Sequence, residues 1–288
     1  MMRKGSDERR VIAIVRGALN ALIEHKEILF PYCLIAFVEF FLLEIFYFAP
    51  RFPLKIFFEP VIRKIWGEQF LHYPFNLALL PRLFQGAQIP IYIFISTFFV
   101  AISMAIIETI NNEKHVNIAN LIRKNFRQYI HVVVAASISF LVLMGTFKLY
   151  ELVIHRAELI RSTTGKFYIL KRMVIDGAPL VNLVISVAVT ALFAYVLPFI
   201  IIENKKVFSA LAANFKMIWG SFWFIFSVTL IPSLLFIPVI VLRSSSSFST
   251  QPPETGILIL MISTVLMITI DAVVYTAITS YFLLRKGA

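Results

Sequence analysis

The sequence has few charged residues and a single cysteine, and each scarcity excludes a class of protein. Charged types make up 15% of the 288 residues, whereas hydrophobic types make up 59%. A soluble domain has about 25% charged and roughly 45–50% apolar residues, so no single compact core requires this much apolar side chain. The lone Cys33 cannot form an internal disulfide, which excludes a disulfide-stapled scaffold. The composition also excludes a disordered chain, which leaves a membrane protein with several spans.

Catalytic and metal-binding motifs are missing as well. None of the five histidines stands in an H-E-x-x-H motif or in another close metal-ligand spacing. The sequence contains no G-x-S-x-G nucleophile turn, no Walker A loop and no G-x-G-x-x-G fingerprint. We therefore expect a protein that is not an enzyme and that holds neither a cofactor nor a metal ion.

Six stretches are apolar on all sides and long enough to cross a bilayer as helices, which takes about 20 residues. They predict an all-α integral membrane fold in which residues 1–288 form a single transmembrane domain. The stretches are residues 28–49, 89–110, 130–154, 180–202, 220–242 and 256–284.

Basic residues exceed acidic ones, 27 Lys and Arg against 16 Asp and Glu, which gives a net charge of +11. In a soluble protein this excess would indicate nucleic acid, but here most cations flank the apolar stretches, where they meet anionic headgroups. We therefore expect the anionic lipids of an inner leaflet as partners, and no nucleic acid. With the N-terminus inside, 15 of the 27 cations fall in inner segments. This bias predicts the cytoplasmic (inner) membrane, with both termini cytoplasmic.

A short amphipathic stretch precedes the first, third and fifth spans. Its apolar residues recur at helical spacing, and its basic residues lie on or beside the polar face. Such a helix rests in the headgroup plane with its apolar face down. We therefore predict three in-plane elbow helices, at residues 11–23, 118–129 and 207–219.

The sequences around the second and third elbows also share short identical or similar segments. The letters I-I-E at 106–108 and N-F-R at 125–127 return as I-I-E at 201–203 and N-F-K at 214–216. This agreement favours a three-fold parallel repeat of an elbow and a helical hairpin, although multi-span proteins without repeats also have basic amphipathic connectors. The three repeats would be residues 11–110, 111–202 and 203–284.

The first repeat contains a long outer loop, residues 50–88, that is rich in proline and aromatic residues. We predict that it forms two interfacial helices with their aromatic residues at headgroup depth. They would pack against the bundle or form a lid that binds a lipid or a partner. The apolar faces would consist of Ile62, Ile65, Trp66 and Phe70 in the first helix and Leu77, Leu80 and Phe84 in the second.

Residues 195–223 resemble a known group of membrane domains. A proline near a helix end, Pro198, is followed by the acid Glu203, by an elbow that ends in Asn214-Phe215, and by Gly220-Ser-Phe-Trp223. This pattern resembles the six-span group that includes the membrane domain of glycerophosphodiester phosphodiesterases and related bacterial membrane proteins of unknown function. The resemblance implies a six-span fold and a link to lipid metabolism or envelope upkeep. Asn214 stands where the group more often has Ser, and no soluble phosphodiesterase domain is present here, so that activity does not carry over.

Several ionisable side chains fall inside the predicted spans, where a charge costs at least ~2.5–3.5 kcal/mol. Asp271 lies near the centre of the sixth span with Tyr275 on the same helix face, and Glu39 lies near the centre of the first. They would form either the proton or cation site of a transporter or interhelical hydrogen bonds. Lys148 can pair with Glu44 or with Glu151 at a similar outer depth. The full candidate intramembrane polar site consists of Asp271, Glu39, Glu44, Lys148, Glu151 and Tyr275.

The fourth span carries Asn182, Ser186, Thr190 and Ala194 at four-residue steps. Small residues at this spacing form either a ridge for helix packing or a substrate groove.

These observations predict a non-enzymatic membrane component linked, through the resemblance, to envelope or lipid homeostasis. One alternative is a transporter of a small solute or ion that uses Asp271 and Glu39. The other is a membrane-embedded enzyme acting on lipid headgroups, which would need polar groups such as Glu59, Glu68 and His72 to converge at one interface.

Overall fold

The structure is a computed structural model, and it describes residues 4–158, 168–169, 174–244 and 253–287. In these ranges the regular elements are helical, and six helices are long and apolar enough to cross a membrane. The prediction of a multi-pass, all-α membrane protein is therefore confirmed. The six spans are Lys26–Phe48, Phe75–Asn111, Tyr129–Arg156, Ala178–Ile201, Phe222–Arg243 and Glu254–Lys286.

Several spans are divided into shorter helices, and three helices precede spans one, three and five. The α-helices, in chain order, are α1 Lys4–Glu24, α2 Phe30–Phe48, α3 Lys55–Ile65, α4 Phe75–Ile91, α5 Thr97–Asn111, α6 Ile118–Phe126, α7 Tyr129–Glu158, α8 Ala178–Leu192, α9 Val196–Ile201, α10 Val207–Ile218, α11 Phe222–Ser233, α12 Ile237–Ser244 and α13 Pro253–Gly287.

Helix α13 lies at the centre of the bundle, in contact with α1, α2, α4, α5 and α11. The largest buried cluster of the described residues joins the C-terminal part of the fourth span to α13. There Tyr195 and Ile200 are fully buried together with Ile278 and Phe282. A polar residue on the inward face of α13 therefore lies deep inside the protein.

The outer loop differs from its prediction. Helix α3 exists, and its Ile62 is buried against Leu71 and Leu79. The second interfacial helix does not exist as a separate element, because α4 begins at Phe75 and is continuous with the second span. Leu80 and Phe84 are buried against Leu43 of α2 and Leu260 of α13, so this segment is part of the bundle.

Helices α1, α6 and α10 occupy the three positions of the predicted elbows. Helix α1 buries Val11 and Ala18 against Val228 and Ala277 of spans five and six, and exposes a second apolar stripe that includes Ile12. Helix α6 starts at an N-cap, where Asn117 Oδ1 accepts a hydrogen bond from the backbone N–H of Asn120. The orientation of these helices relative to the membrane and the three-fold repeat stay predictions.

The fourth span is interrupted, and a side chain of α10 forms hydrogen bonds to backbone groups on both sides of the interruption. Helix α8 ends at Leu192 and α9 begins at Val196. Asn214 of α10 is fully buried beside this gap: its Nδ2 donates to Leu192 O at 2.8 Å, and its Oδ1 accepts from Tyr195 N at 3.0 Å. The carboxamide thus satisfies one backbone acceptor and one backbone donor that the break leaves free. Asn125, its counterpart in α6, is also buried, but its Nδ2 has no partner among the described residues.

We predict that Asn214→Ala lowers the stability of the folded protein, because two buried backbone groups lose their partners. Each unsatisfied group costs about 1–3 kcal/mol. The measurement is thermal unfolding in detergent, followed by circular dichroism. The control is Asn112→Ala, at an exposed asparagine after the second span. Equal melting temperatures for the two variants would contradict this role of Asn214.

Candidate functional site

Asp271 is a half-buried carboxylate near the middle of the sixth span. It forms no hydrogen bond or ion pair within the part of the chain that the structure describes. It interacts electrostatically with Glu39 of α2 and lies close to Tyr32, Tyr92 and Tyr275. The structure therefore brings together three of the predicted site residues, Asp271, Glu39 and Tyr275.

Glu39 has a partner that the sequence analysis missed. Its Oε2 accepts a hydrogen bond from Gln88 Nε2 at 3.0 Å. Gln88 falls inside the stretch 50–88 that was predicted to be a loop, and the early start of α4 brings it into the bundle. Glu39 is thus held by an amide rather than by a cation.

The other three predicted site residues lie apart from this group. Lys148 forms an ion pair with Glu151 on α7, and both side chains are largely exposed. Glu44 is exposed on α2. Exposed pairs of this kind contribute about 0–1 kcal/mol. No contact joins Glu44, Lys148 or Glu151 to Asp271 among the described residues, so we leave them out of the site.

A cavity of about 290 Å³ adjoins Asp271 between α8, α11, α12 and α13. Its volume is close to the lower end of ligand pockets, about 300–1,000 Å³, and it would hold about ten waters at about 30 Å³ each. Most of its wall is apolar. We call it the Asp271 cavity, and its polar wall consists of Asn182, Ser186, Thr190, Thr229, Ser233 and Asp271.

Three residues of the four-residue pattern in the fourth span, Asn182, Ser186 and Thr190, line the Asp271 cavity. This is the position that the groove alternative requires, and a substrate there stays a prediction. The facing residues Thr229 and Ser233 were missed, although they also stand four residues apart. Ser233 Oγ donates to Thr229 O at 2.8 Å. The Thr229 hydroxyl is buried without a hydrogen-bond partner among the described residues.

A smaller cavity of about 70 Å³ adjoins the first one along α8, and Ser186 and Thr190 line both. It also touches Tyr92, at the start of a π-helical turn that runs from Tyr92 to Ser96 between α4 and α5. Such turns occur frequently at functional sites. The break after α8 borders the same cavity through Phe193. Two irregular segments therefore meet beside Tyr275.

Of the three residues named for a headgroup enzyme, the structure brings Glu59 and Glu68 together at Arg63. Arg63 donates to Glu59 at 2.8 Å and to Glu68 at 3.1 Å, so both carboxylates are engaged by one guanidinium. No hydrogen bond or ion pair joins His72 to either of them among the residues described. The same residues contain no cluster of three or more metal-ligand side chains.

Charged groups connect the C-terminal end of α13 to the segment around α10. Glu203, which follows the fourth span, lies 2.8 Å from Lys205 Nζ and 3.6 Å from Lys286 Nζ. Arg285 donates to Ser221 Oγ at 2.9 Å. Burial by itself would raise the pKa of Glu203, but the hydrogen bond and charge of Lys205, together with Lys286, hold this pKa below its ordinary value.

Comparisons with protein-family models, with curated proteins and with solved structures find no match to this chain. The resemblance of residues 195–223 therefore stays a prediction from the sequence.

We predict that acid weakens the attachment of α13 through Glu203. Because the pKa of Glu203 is lowered in the folded state, its contribution to stability is present above the ordinary carboxyl pKa and is lost as the pH falls through the folded-state value. For half-exposed ion pairs the contribution is at most about 1 kcal/mol. Melting temperatures measured from pH 7 down to pH 3 should fall less steeply for Glu203→Gln than for the wild type. Glu113→Gln, at an exposed carboxylate, is the control, and a slope for Glu203→Gln equal to that of the wild type would contradict the assignment.

Proposed function

We propose that the protein is a non-enzymatic membrane component that binds a small ligand inside the bilayer, in the Asp271 cavity. The observation that carries this proposal is the cavity itself, which combines a mostly apolar wall with polar groups from three spans. Ligand pockets have this composition, because the apolar wall supplies burial and the few polar groups orient the ligand. The resemblance of residues 195–223 supports a role of this binding in lipid or envelope homeostasis.

The position of Asp271 supports binding over a purely structural role. A charge at this depth costs at least ~2.5–3.5 kcal/mol, and Asp271 has no hydrogen-bond or ion-pair partner among the described residues that would offset the cost. For Glu39 the amide of Gln88 offsets this cost, because it donates a hydrogen bond to the carboxylate. A bound ligand would give Asp271 the partner that the described residues do not supply.

The proposal also includes the placement in the membrane. We place the protein in the cytoplasmic membrane with both termini inside, and α1, α6 and α10 in the headgroup plane of the inner leaflet. Helix α10 supports this placement, because Phe208 and Trp219 are 74% and 92% exposed near Lys206 and Lys216. Exposed aromatics are typical of the headgroup region, and the lysines would attract anionic lipids.

We predict that the purified full-length protein retains a ligand in the Asp271 cavity. Native mass spectrometry of protein extracted from its host membrane should detect one bound small molecule or lipid per chain. Asp271→Asn keeps the size of the side chain and removes its charge. It should raise the Kd of the retained ligand at least tenfold, which corresponds to about 1.4 kcal/mol, and should therefore lower the bound fraction.

Glu44→Gln is the matched control, since it removes an exposed acid of the first span that does not line the cavity. It should retain the ligand as the wild type does. Equal occupancy of all three proteins would mean that lipid adheres without specificity, and would contradict the proposal.

Transport of a small solute or ion is a second candidate, and the irregular helices favour it. The π-helical turn in the second span and the break in the fourth both border the small cavity that adjoins the Asp271 cavity. Discontinuous spanning helices near the bilayer midplane are typical of secondary transporters, because their free backbone groups bind substrates and ions. The carboxylates of Asp271 and Glu39 would then serve as a proton or cation site.

For this candidate we predict proton flux into proteoliposomes that carry a pH-sensitive dye and a potassium gradient with valinomycin. Asp271→Asn should reduce the flux at least tenfold relative to the wild type, and Glu44→Gln should leave it unchanged. Flux that persists in Asp271→Asn would show that Asp271 is not the coupling site. A wild type without flux would favour binding alone.

A further inference from the structure

The Asp271 cavity is lined by a single charged group among the described residues, and this group is an anion. The remaining wall consists of hydroxyl, amide and apolar side chains. Glu39 stands nearby with the same sign of charge and interacts electrostatically with Asp271. A ligand with a positive charge would therefore offset two like charges, whereas an anionic ligand would add a third.

The nearest cation along the cavity helices does not serve this purpose. Arg243 follows the cavity-lining Ile240 on α12, and its Nη2 donates to Ser263 Oγ of α13 at 2.7 Å. It forms no ion pair with Asp271. Among the described residues no cation thus serves as the counter-charge of Asp271, and a proton or a ligand would supply it.

Ser233 is a second polar residue of the cavity wall. It uses its hydroxyl hydrogen on Thr229 O, so its oxygen lone pairs stay available. The Thr229 hydroxyl oxygen is itself buried and does not face the open space of the cavity. The wall thus presents two acceptors, the Asp271 carboxylate and the Ser233 hydroxyl oxygen.

We propose that the Asp271 cavity binds a primary ammonium group carried on an apolar stem, with Asp271 as the counter-charge. This inference rests on the proposed function and names its ligand class. An ammonium group has three N–H donors and no acceptor, so it can donate to the Asp271 carboxylate and to the Ser233 oxygen at the same time. Val187, Ile270 and Val274 are buried apolar neighbours for the stem.

Two sources supply this chemistry. One is a free amine of low polarity, and the other is the ethanolamine headgroup of a phospholipid. The cavity reaches the outer surface of the bundle at Met267, which lines it and is 57% exposed, so a ligand can enter from the lipid side.

The test measures the melting temperature of the full-length protein in detergent, by tryptophan fluorescence, with three probes of equal chain length: hexylamine, hexanol and hexanoate. At neutral pH hexylamine is protonated and should raise the melting temperature of the wild type in a saturable way, whereas hexanol and hexanoate should have little effect. Asp271→Asn should raise the apparent Kd for hexylamine at least tenfold. Ser233→Ala, which removes the hydroxyl, should raise it by a smaller factor, and Glu44→Gln should leave it unchanged.

A second arm separates the two sources. The wild type is placed in nanodiscs of phosphatidylcholine, with or without phosphatidylethanolamine of the same acyl chains. A higher melting temperature with phosphatidylethanolamine, lost in Asp271→Asn, would identify the lipid headgroup as the source. Stabilisation by hexylamine without a difference between the lipids would identify a free amine.

The inference and the proposed function fail in different ways. If hexanol stabilises the wild type as strongly as hexylamine and Asp271→Asn changes neither, the cavity binds a ligand that is not an amine, and the inference is overturned. If no probe stabilises the protein and native mass spectrometry finds no retained ligand, both fail. If Asp271→Asn does not fold, the comparison between Ser233→Ala and Glu44→Gln decides in its place, and equal Kd values for hexylamine would overturn the inference.

Discussion

The hydrocarbon core of a bilayer has no water to hydrogen-bond a polar group, so each such group needs a partner inside the protein. Two polar positions in the described part of the chain differ in how they stand against this constraint. Where the fourth span breaks, the carboxamide of Asn214 bonds to both sides of the gap. At Asp271 the protein offers a cavity instead of a partner. At Asn214 the free backbone groups have their partners within the protein, whereas at Asp271 the cavity leaves space for another molecule.

This contrast links the fold to the proposed function. Asn214 belongs to α10, so the helix that would rest among the lipid headgroups also holds the broken span in place. Ser186 and Thr190 of α8, which ends at this break, line two adjoining cavities. On the other wall, the central position of α13 brings Asp271 to the same space. The proposed ligand site therefore adjoins the segment that Asn214 stabilises.

Much of the fold could be predicted from composition, because the length and apolarity of a span are local properties. The approach of Asp271 to Glu39 could be predicted too, since both lie at mid-span. The start of the second span could not, because Pro81 and the aromatic residues before it are typical of a loop, and burial of Leu80 and Phe84 against two other spans overrides that pattern. Gln88, Thr229 and the capping role of Asn214 were missed for the same reason: each depends on which helices become neighbours.

The central claim is that the chain crosses the bilayer six times, with the connections around α6 and α10 on one side and Asp271 at mid-membrane in the sixth span. Labelling of single cysteines with a membrane-impermeant maleimide, in a Cys33→Ser background, tests it most directly. We expect Glu113→Cys and Asn204→Cys to react from one side of sealed vesicles, and Arg51→Cys and Tyr168→Cys to react from the other. Labelling of Glu113→Cys and Asn204→Cys from opposite sides would contradict the six-span arrangement and the site built on it.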